Sequence, residues 1–284
     1  MATDLGKDSI GKLLLKIAIP SILAQLINAL YNIVDRMYIG HIESVGKDAL
    51  TGVGLTFPIL MIIAAFSCFV GMGGAPRAAI KMGENDNDAA ENILGNCFVS
   101  LMIISVILTT VFLLFGENLL YLFGASEKTI KYSLDYMNIY VCGTIFVQLS
   151  MGLNSFISTQ GFAKMSMATI LIGAVLNIVL DPIFIFTFNM GVKGAATATI
   201  ISQAVSSLWV LKFLFSKNSK IRIKPKYFKI NLKVLIPVFA LGLSPFIMQS
   251  TESLVNAVLN SSLYKYGGDD AVGAMTIIGS VLQF

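Results

Sequence analysis

The sequence predicts an all-α polytopic membrane protein. Apolar residues make up 56% of the 284 residues, and charged residues make up only 13%. A soluble domain carries roughly 25% charged residues. The mean hydropathy is +0.79, and the apolar residues are gathered into long segments of the ~20 residues or more that a helix needs to cross a bilayer. The lipid bilayer is therefore the first expected partner.

Seven complete apolar spans follow one another, and an eighth begins near Asp270. The first span follows Lys7, Lys12 and Lys16 as a signal sequence would, but it is too long and lacks a small-residue cleavage site, so we expect it to be retained. The complete spans are residues 13–38, 49–73, 93–115, 134–160, 165–188, 194–215 and 234–263.

The basic residues predict the orientation of these spans. With a cytoplasmic N-terminus, fourteen of the 20 Lys and Arg residues lie inside, as the positive-inside rule requires. We expect a multi-pass protein of the cell (plasma or inner) membrane. The basic run 217–233 is then a cytoplasmic linker, and no nucleic-acid partner is expected.

The linker separates two halves with similar patterns. Pro20 and Asp48 recur about 225 residues later as Pro245 and Asp270. Such a parallel repeat is common in transporters, where the substrate path runs between the halves. We also expect this chain to be a fragment or truncated form of a longer protein. The predicted parts are a six-helix N-lobe over 1–215, a linker over 216–233 and the start of a C-lobe over 234–284.

Polar residues form one stripe on the first span and a matching stripe on the seventh. Helical spacing places each stripe on one face of its helix, which suits substrate or ion binding, although Glu252 could equally serve packing or line a pore. Pro20 offers a kink in the first helix, and Arg36 is expected to snorkel to the outer interface. The stripes comprise Gln25, Asn28, Asn32 and Asp35, and Gln249, Glu252 and Asn256.

The most specific pattern lies within residues 173–203. Asn177 and Asp181 lie one helical turn apart, and a carboxylate at this depth costs roughly 2.5 kcal/mol or more. A proton, a cation or a buried partner must compensate it. Pro182 interrupts the local backbone bonding and can free a carbonyl oxygen to act as a ligand.

The following span opens with small residues that allow close helix packing. The hydroxyls of Thr197 and Thr199 could reach the face that carries Asp181, which would assemble oxygen ligands for a small cation. If Asp35 also faces Asp181, the two carboxylates cannot both stay ionised cheaply, so the pair would bind a proton or Na⁺. The alternatives are a salt-bridged interface residue at Asp35 and a buried polar network around Asp181.

Other chemistries have weaker support. Residues 6–12 have the spacing of a phosphate-binding loop, but Leu13 replaces the Mg²⁺-binding Ser or Thr and no strand precedes it. The single histidine, His41, lies in a predicted outer loop, which excludes a histidine metal cluster or a Ser-His triad within this chain. The three cysteines lie alone in apolar segments. Neither an enzyme nor a cofactor is expected.

Taken together, the chain resembles the multidrug and toxic compound extrusion (MATE) transporters, closest to their prokaryotic branch that includes the DNA-damage-inducible F subfamily. The resemblance is carried by Pro20 with Asp35, by the run Asn177-x3-Asp181-Pro182 and by the opening GAATAT of residues 194–199. It implies a MATE-like bundle, of which this chain covers the N-lobe and the first part of the C-lobe.

The resemblance also implies a monomeric secondary active efflux antiporter that exchanges drugs or organic cations for H⁺ or Na⁺. It assigns cation coupling, and tentative Na⁺ ligation, to one group of residues and a supporting role to another. The coupling residues are Asp35, Asn177, Asp181 and Thr199, and the supporting residues are Tyr31, Tyr136 and Asn154.

The alternative function is a related flippase or exporter of a lipid-linked sugar or another metabolite. Such a protein should place more cationic residues toward its cavity, and no Lys or Arg is evident in the middle of a span. A channel remains a further alternative, which gradient-driven uphill transport would exclude.

Overall fold

A computed structural model describes residues 10–43 and 45–282, with side chains for residues 18–20, 22–43 and 45–279. Lys7 and most of the phosphate-loop-like segment therefore lie outside the described residues. The described part contains eight α-helices: α1 (Ile10–Gly40), α2 (Gly46–Gly83), α3 (Asn87–Leu122), α4 (Ile130–Cys142), α5 (Thr144–Thr159), α6 (Ala163–Pro182), α7 (Val192–Phe215) and α8 (Leu232–Leu282).

The helices correspond to the predicted spans with three differences in detail. The fourth span is the pair α4 and α5, bent by 58°. In the fifth, α6 continues into a π-helical turn, Ile183–Thr187. The seventh span and the start of the eighth are both in α8, which has a non-helical residue at Gly268 (φ 67°). In the described residues, five helices are long and apolar enough to cross a membrane, and the bent pair makes six. α1 is not among them, although its 31 residues suffice in length.

Gly143 lies at the bend between α4 and α5. A Cβ at this position would lie 2.3 Å from Cδ1 of Ile200 on α7, which is far inside van der Waals contact. Any larger residue at this position would therefore require the Ile200 side chain to shift. The bend aims α5 along α7, so polar groups of the two helices can meet inside the bundle.

α2 packs against α8 along much of its length. Phe69 stacks on Phe239 with ring centroids 4.8 Å apart, and Phe66 meets Phe246 edge to face at 4.8 Å. The backbones also approach closely, because a Cβ on Gly242 would lie 1.8 Å from the carbonyl oxygen of Phe69. This packing joins the predicted N-lobe to the beginning of the predicted C-lobe.

The predicted linker folds onto the helices. We call residues 216–231 the strap. Ile221 and Ile223 are buried in an apolar cluster with residues of α2, α3, α5 and α7. Oε1 of Gln160, at the end of α5, accepts hydrogen bonds from the backbone N–H groups of Lys220 (2.8 Å) and Ile221 (3.2 Å) and from the Ser219 hydroxyl (2.9 Å).

Two carboxylates of α3 hold the rest of the strap. Glu91 is paired with Lys224 (2.5 Å), and Asp88 is paired with Lys226 (2.7 Å) and accepts a hydrogen bond from the Tyr227 hydroxyl. The strap is thus fixed at several points on the N-lobe side before α8 begins.

Candidate functional site

A cavity of about 600 Å³ lies among α1, α2, α4, α5, α6, α7 and α8. The first polar stripe faces it along its whole length, and two of the three residues of the second stripe face it from α8. None of the lining residues that the structure describes is Lys or Arg. The predicted site residues that line the cavity are Gln25, Asn28, Tyr31, Asn32, Asp35, Tyr136, Asn154, Asn177, Thr199, Gln249 and Glu252.

A pair of acidic residues lies at one wall of this cavity. Asp35 on α1 and Asp181 on α6 are 8% and 0% exposed, and their carboxyl groups are close enough to share a hydrogen bond. Asp35 lines the cavity, whereas Asp181 lies behind the lining. Two carboxyl groups in contact require a shared proton or a bound cation, since two bare charges at this separation repel strongly.

Asn177 and Thr199 extend the pair into a buried network. The Nδ2 group of Asn177 donates to Oδ1 of Asp181 (3.1 Å) and to the hydroxyl oxygen of Thr199 (3.3 Å). Tyr136 on α4 lines the same cavity as Thr199. The predicted residues of α1, α4, α6 and α7 therefore meet at one place.

The donor set fits a small cation. Three buried oxygens of the network receive no hydrogen bond, namely Asp35 Oδ1, Asp181 Oδ2 and Asn177 Oδ1. Buried polar atoms without partners are rare, and oxygen ligands are what hard cations such as Na⁺ prefer. Among the described residues there is no group of three or more His, Cys, Asp or Glu residues that could hold a metal ion.

At three positions the observed contacts differ in detail from those that the sequence suggested. Thr197 donates its hydroxyl to the carbonyl of Lys193 on its own helix (2.7 Å), because it lies about 200° around α7 from Thr199. At Pro182, where an interruption of the backbone bonding was predicted, α6 passes into the π-helical turn, a feature often found at functional sites. Asn154 lines the cavity but bonds to the carbonyl of Ser166 (3.2 Å) rather than to the network.

Asn256 and Arg36 lie beside a second cavity. This smaller space of about 40 Å³ is lined by both residues and by Phe57. Arg36, which was expected to extend to the outer interface, contacts two other helices: its guanidinium lies over the Phe57 ring (5.3 Å) and donates to the carbonyl of Thr276 on α8 (2.8 Å).

Sequence reasoning missed a wall of hydroxyl and amide groups in the main cavity. Ser150 donates to Gln203 (2.6 Å), and Ser206 donates to the carbonyl of Thr169 (3.1 Å). The signal was present on α7, where Thr199, Ser202 and Ser206 follow helical spacing. It was hidden because serine and threonine are common in transmembrane helix interfaces without binding anything.

The fold and this buried polar site define the class, a polytopic helical membrane protein. The chain belongs to the MatE family, whose model matches residues 20–183. The predicted resemblance and the all-α fold class are thereby confirmed.

Among curated relatives, the chain is 27% identical over 278 residues to the multidrug export protein MepA of Staphylococcus haemolyticus, which covers 98% of this chain and 61% of the relative. The chain thus spans about 61% of the length of that relative.

Two solved structures are similar over nearly the whole chain. One is the MATE multidrug transporter DinF-BH in complex with R6G, with a TM-score of 0.92, 33% identity, and coverage of 99% of this chain and 63% of that one. The other is an inward-facing multidrug resistance MATE family transporter of the MOP superfamily, with a TM-score of 0.84, 27% identity, and coverage of 95% and 63%. The proteins named in these comparisons are transporters and exporters.

Proposed function

We propose that this chain forms the ion-coupling part of a secondary active antiporter that exports organic cations or drugs in exchange for H⁺ or Na⁺. The observation that carries the proposal is the buried contact between Asp35 and Asp181 beside a cavity with no Lys or Arg among its described lining residues. The same observation disfavours an anionic lipid-linked cargo, for which cationic lining groups would be expected.

Asp35 belongs to both parts of the site, which suggests how exchange arises. Its carboxyl group faces Asp181 and also borders the cavity. A proton or Na⁺ bound by the pair neutralises negative charge that would otherwise attract a cationic drug. Occupancy of the pair and occupancy of the cavity therefore oppose each other, and by linkage each lowers the affinity for the other.

The supporting roles follow from the network. Asn177 and Thr199 orient Asp181 and offer further oxygens, and Tyr136 and Tyr31 line the cavity near them. Glu252 on α8 would add negative charge opposite α1. The proposed arrangement has an N-lobe over residues 1–215 with its N-terminus in the cytoplasm, a C-lobe that begins after the strap, and a monomer as the working unit. Because the chain spans only part of its relatives, transport itself belongs to the proposal.

The proposal is tested first by equilibrium binding, which does not require a complete transport cycle. Fluorescence anisotropy of R6G would be titrated with the purified protein in detergent, at several Na⁺ concentrations and, separately, at several pH values. We expect one of the two cations to weaken binding by about tenfold, within the usual range of coupling between two sites. Asp181→Asn should still bind R6G but lose most of this dependence.

Asp135→Asn is the matched control, since Asp135 is paired with Lys193 (3.4 Å) outside the cavity lining. It should retain the cation dependence of the wild type. If neither cation changes R6G binding, the proposed exchange of drug for H⁺ or Na⁺ is contradicted, and an exporter of another kind is favoured. Efflux from vesicles under an imposed Na⁺ or pH gradient then measures whether the linked binding drives transport.

A further inference from the structure

The end of the strap lies along α3. The ring of Phe228 packs against the ring of Phe98, with centroids 5.3 Å apart. The backbone N–H of Asn231 donates to Oδ1 of Asn96 (2.7 Å), and the carbonyl of Asn231 accepts from the N–H of Leu235 (3.0 Å) in the first turn of α8. These contacts fix the position of the strap relative to α3 and to the start of α8.

The place of these contacts along α3 sets their depth in the bilayer. α3 is one of the helices long and apolar enough to span a membrane, and it carries no charged residue between Glu91 and Glu117. Phe98 lies about two turns after Glu91. The headgroup region extends roughly 5–7 Å on each side of the ~30 Å hydrocarbon core, so the end of the strap lies where headgroups meet acyl chains.

Apolar side chains are exposed along residues 228–233, which we call the interfacial edge. Phe228, Ile230 and Leu232 are 37%, 51% and 64% exposed, whereas the two isoleucines earlier in the strap are buried. Exposed aromatic and aliphatic side chains at the boundary of a bilayer are the ones that insert among acyl chains. The edge thus offers the bilayer several apolar anchors.

The two lysines of the interfacial edge differ from those that pin the strap. Lys224 and Lys226 are paired with carboxylates of α3. Lys229 and Lys233 are exposed, and neither ammonium has an ion-pair partner among the residues that the structure describes. The aliphatic stem of a lysine can stay in apolar surroundings while its ammonium reaches the polar boundary. Positive charge is therefore available beside the apolar anchors.

We propose that the interfacial edge is a binding surface for anionic phospholipids, whose headgroup phosphates contact Lys229 and Lys233. Charge complementarity decides the lipid class, because a zwitterionic headgroup brings a positive charge of its own to the lysines. Basic segments next to spanning helices attract anionic lipid in this way. The bound lipid adds to the ion pairs with α3 in holding the strap. The inference is independent of the proposed antiport, since it requires only that the chain lies in a bilayer.

A nucleic acid or an acidic protein fits this surface less well. Either partner would use the charge of the two lysines, but neither would cover apolar side chains at the depth of Phe98 on a spanning helix. A soluble partner would also leave the edge out of contact with acyl chains, and that contact can be measured.

Quenching of a single tryptophan by brominated lipid tests the proposal. Trp209 is the only tryptophan of the chain, so Trp209→Phe combined with Ile230→Trp reports on the interfacial edge alone. The protein would be reconstituted in vesicles of phosphatidylcholine and phosphatidylglycerol in which one of the two lipids carries bromine on its acyl chains. We expect the edge to bind phosphatidylglycerol about 5- to 25-fold more tightly than phosphatidylcholine, since one lysine near an anionic surface contributes about fivefold.

Lysine variants show whether charge decides the preference. Lys229→Gln and Lys233→Gln should each lower the ratio of binding constants by about two- to fivefold, and the double variant should bring it close to one. Quenching by brominated phosphatidylcholine should persist, because the apolar side chains remain. Lys131→Gln is the matched control, since Lys131 on α4 is also exposed but lies beyond the far end of α3. It should keep the preference of the parent.

Four results would overturn the inference. Equal quenching by the two brominated lipids would show contact with the bilayer without selection of anionic lipid, and no quenching by either would show that the edge faces water or protein. A preference that persists in the double lysine variant would place the lipid site elsewhere. If inorganic phosphate cancels the preference more strongly than chloride at the same ionic strength, the edge binds soluble phosphate rather than lipid.

Discussion

Carboxylates lie close to the cavity and beneath the strap, but the partners of these carboxylates differ. Beneath the strap they are paired with cations and N–H donors, whereas at the cavity one carboxyl group faces another. Beneath the strap, Glu91 is 6% exposed at its side chain and faces the ammonium of Lys224 at 2.5 Å. It also accepts a hydrogen bond from the backbone of Arg222 (3.2 Å). Behind the cavity lining, Asp181 faces a second carboxyl group, Asp35, and one of its oxygens has no donor.

This difference separates structure from function. A buried carboxylate with its own cation and donors is complete, so it stabilises one arrangement of the chain. A buried carboxylate that faces another is incomplete, and the missing partner must come from outside. Incomplete charge is therefore the better guide to a binding site than burial or polarity alone.

The largest effect on stability is expected from replacing Gln160, whose side-chain oxygen accepts three hydrogen bonds from the strap. Gln160→Met leaves the backbone N–H groups of Lys220 and Ile221 without their acceptor. At about 1–3 kcal/mol for each unsatisfied group, the loss of both bonds should lower the free energy of unfolding by about 2–6 kcal/mol. Unfolding in mixed detergent micelles, followed by the fluorescence of the single tryptophan, Trp209, measures it.

Gln203→Met is the matched control in the cavity wall, where the side-chain oxygen accepts one hydrogen bond from Ser150 (2.6 Å). It should cost about 1 kcal/mol, the typical net value of a single bond. If both substitutions cost the same, the strap is not held more firmly than the cavity wall.

A second prediction compares how much the paired carboxylate Glu91 and the unpaired carboxylate Asp181 contribute to the free energy of unfolding. Glu91→Gln removes a compensated charge and should lower the free energy of unfolding by about 1–2 kcal/mol, since hydrogen bonds to charged groups are among the stronger ones. Asp181→Asn removes an uncompensated one and should leave stability unchanged or raise it by about 1 kcal/mol. The same detergent titration compares the two variants, and losses of equal size would contradict the contrast.

The smallest effect is expected at the exposed edge of the strap. The hydrogen bond from Lys226, with a further one from Tyr227, lowers the pKa of Asp88. The contact therefore favours the folded strap at pH values above the ordinary carboxyl pKa of about 3.9 and is lost as the pH falls through the lowered pKa.

A spin label at Lys229 should become more mobile over that acidic range. In Asp88→Asn the label should already be mobile at neutral pH and should change little with acid. Glu84→Gln, which breaks the separate Lys81–Glu84 pair (2.7 Å), should keep the acid response of the wild type. If neither Asp88→Asn nor acid changes the mobility of the label, this contact does not hold the strap in place.

Much of the site could be predicted from sequence because helical spacing makes local geometry readable. Asn177 and Asp181 lie one turn apart, so their contact follows once the helix forms. The stripe from Gln25 to Asp35 needed only the same periodicity to predict a polar face. The sequence could not predict whether Thr197 or Thr199 contacts Asn177, because both are threonines. Only the rotation of α7 about its axis decided that Thr199 faces Asn177.

The strap and Arg36 escaped prediction for a related reason. A run of lysines is equally consistent with a solvated linker, and only its acceptors at Asp88, Glu91 and Gln160 turn it into ordered structure. Arg36 near the end of an apolar span usually snorkels. Its actual acceptor, a backbone carbonyl on α8, has no signature in the sequence.

The sequence by itself determined the class, the spans and the set of residues that carry polar chemistry inside the membrane. These properties follow from local rules: the length of apolar segments, the period of the helix and the cost of a charge in lipid. The tertiary structure alone decided that Asp35 meets Asp181, that Arg36 crosses to Thr276 and that the strap is pinned to α3 and α5. Contacts between distant segments depend on how whole helices pack, and helix packing is set by the summed shape of many side chains rather than by any local pattern.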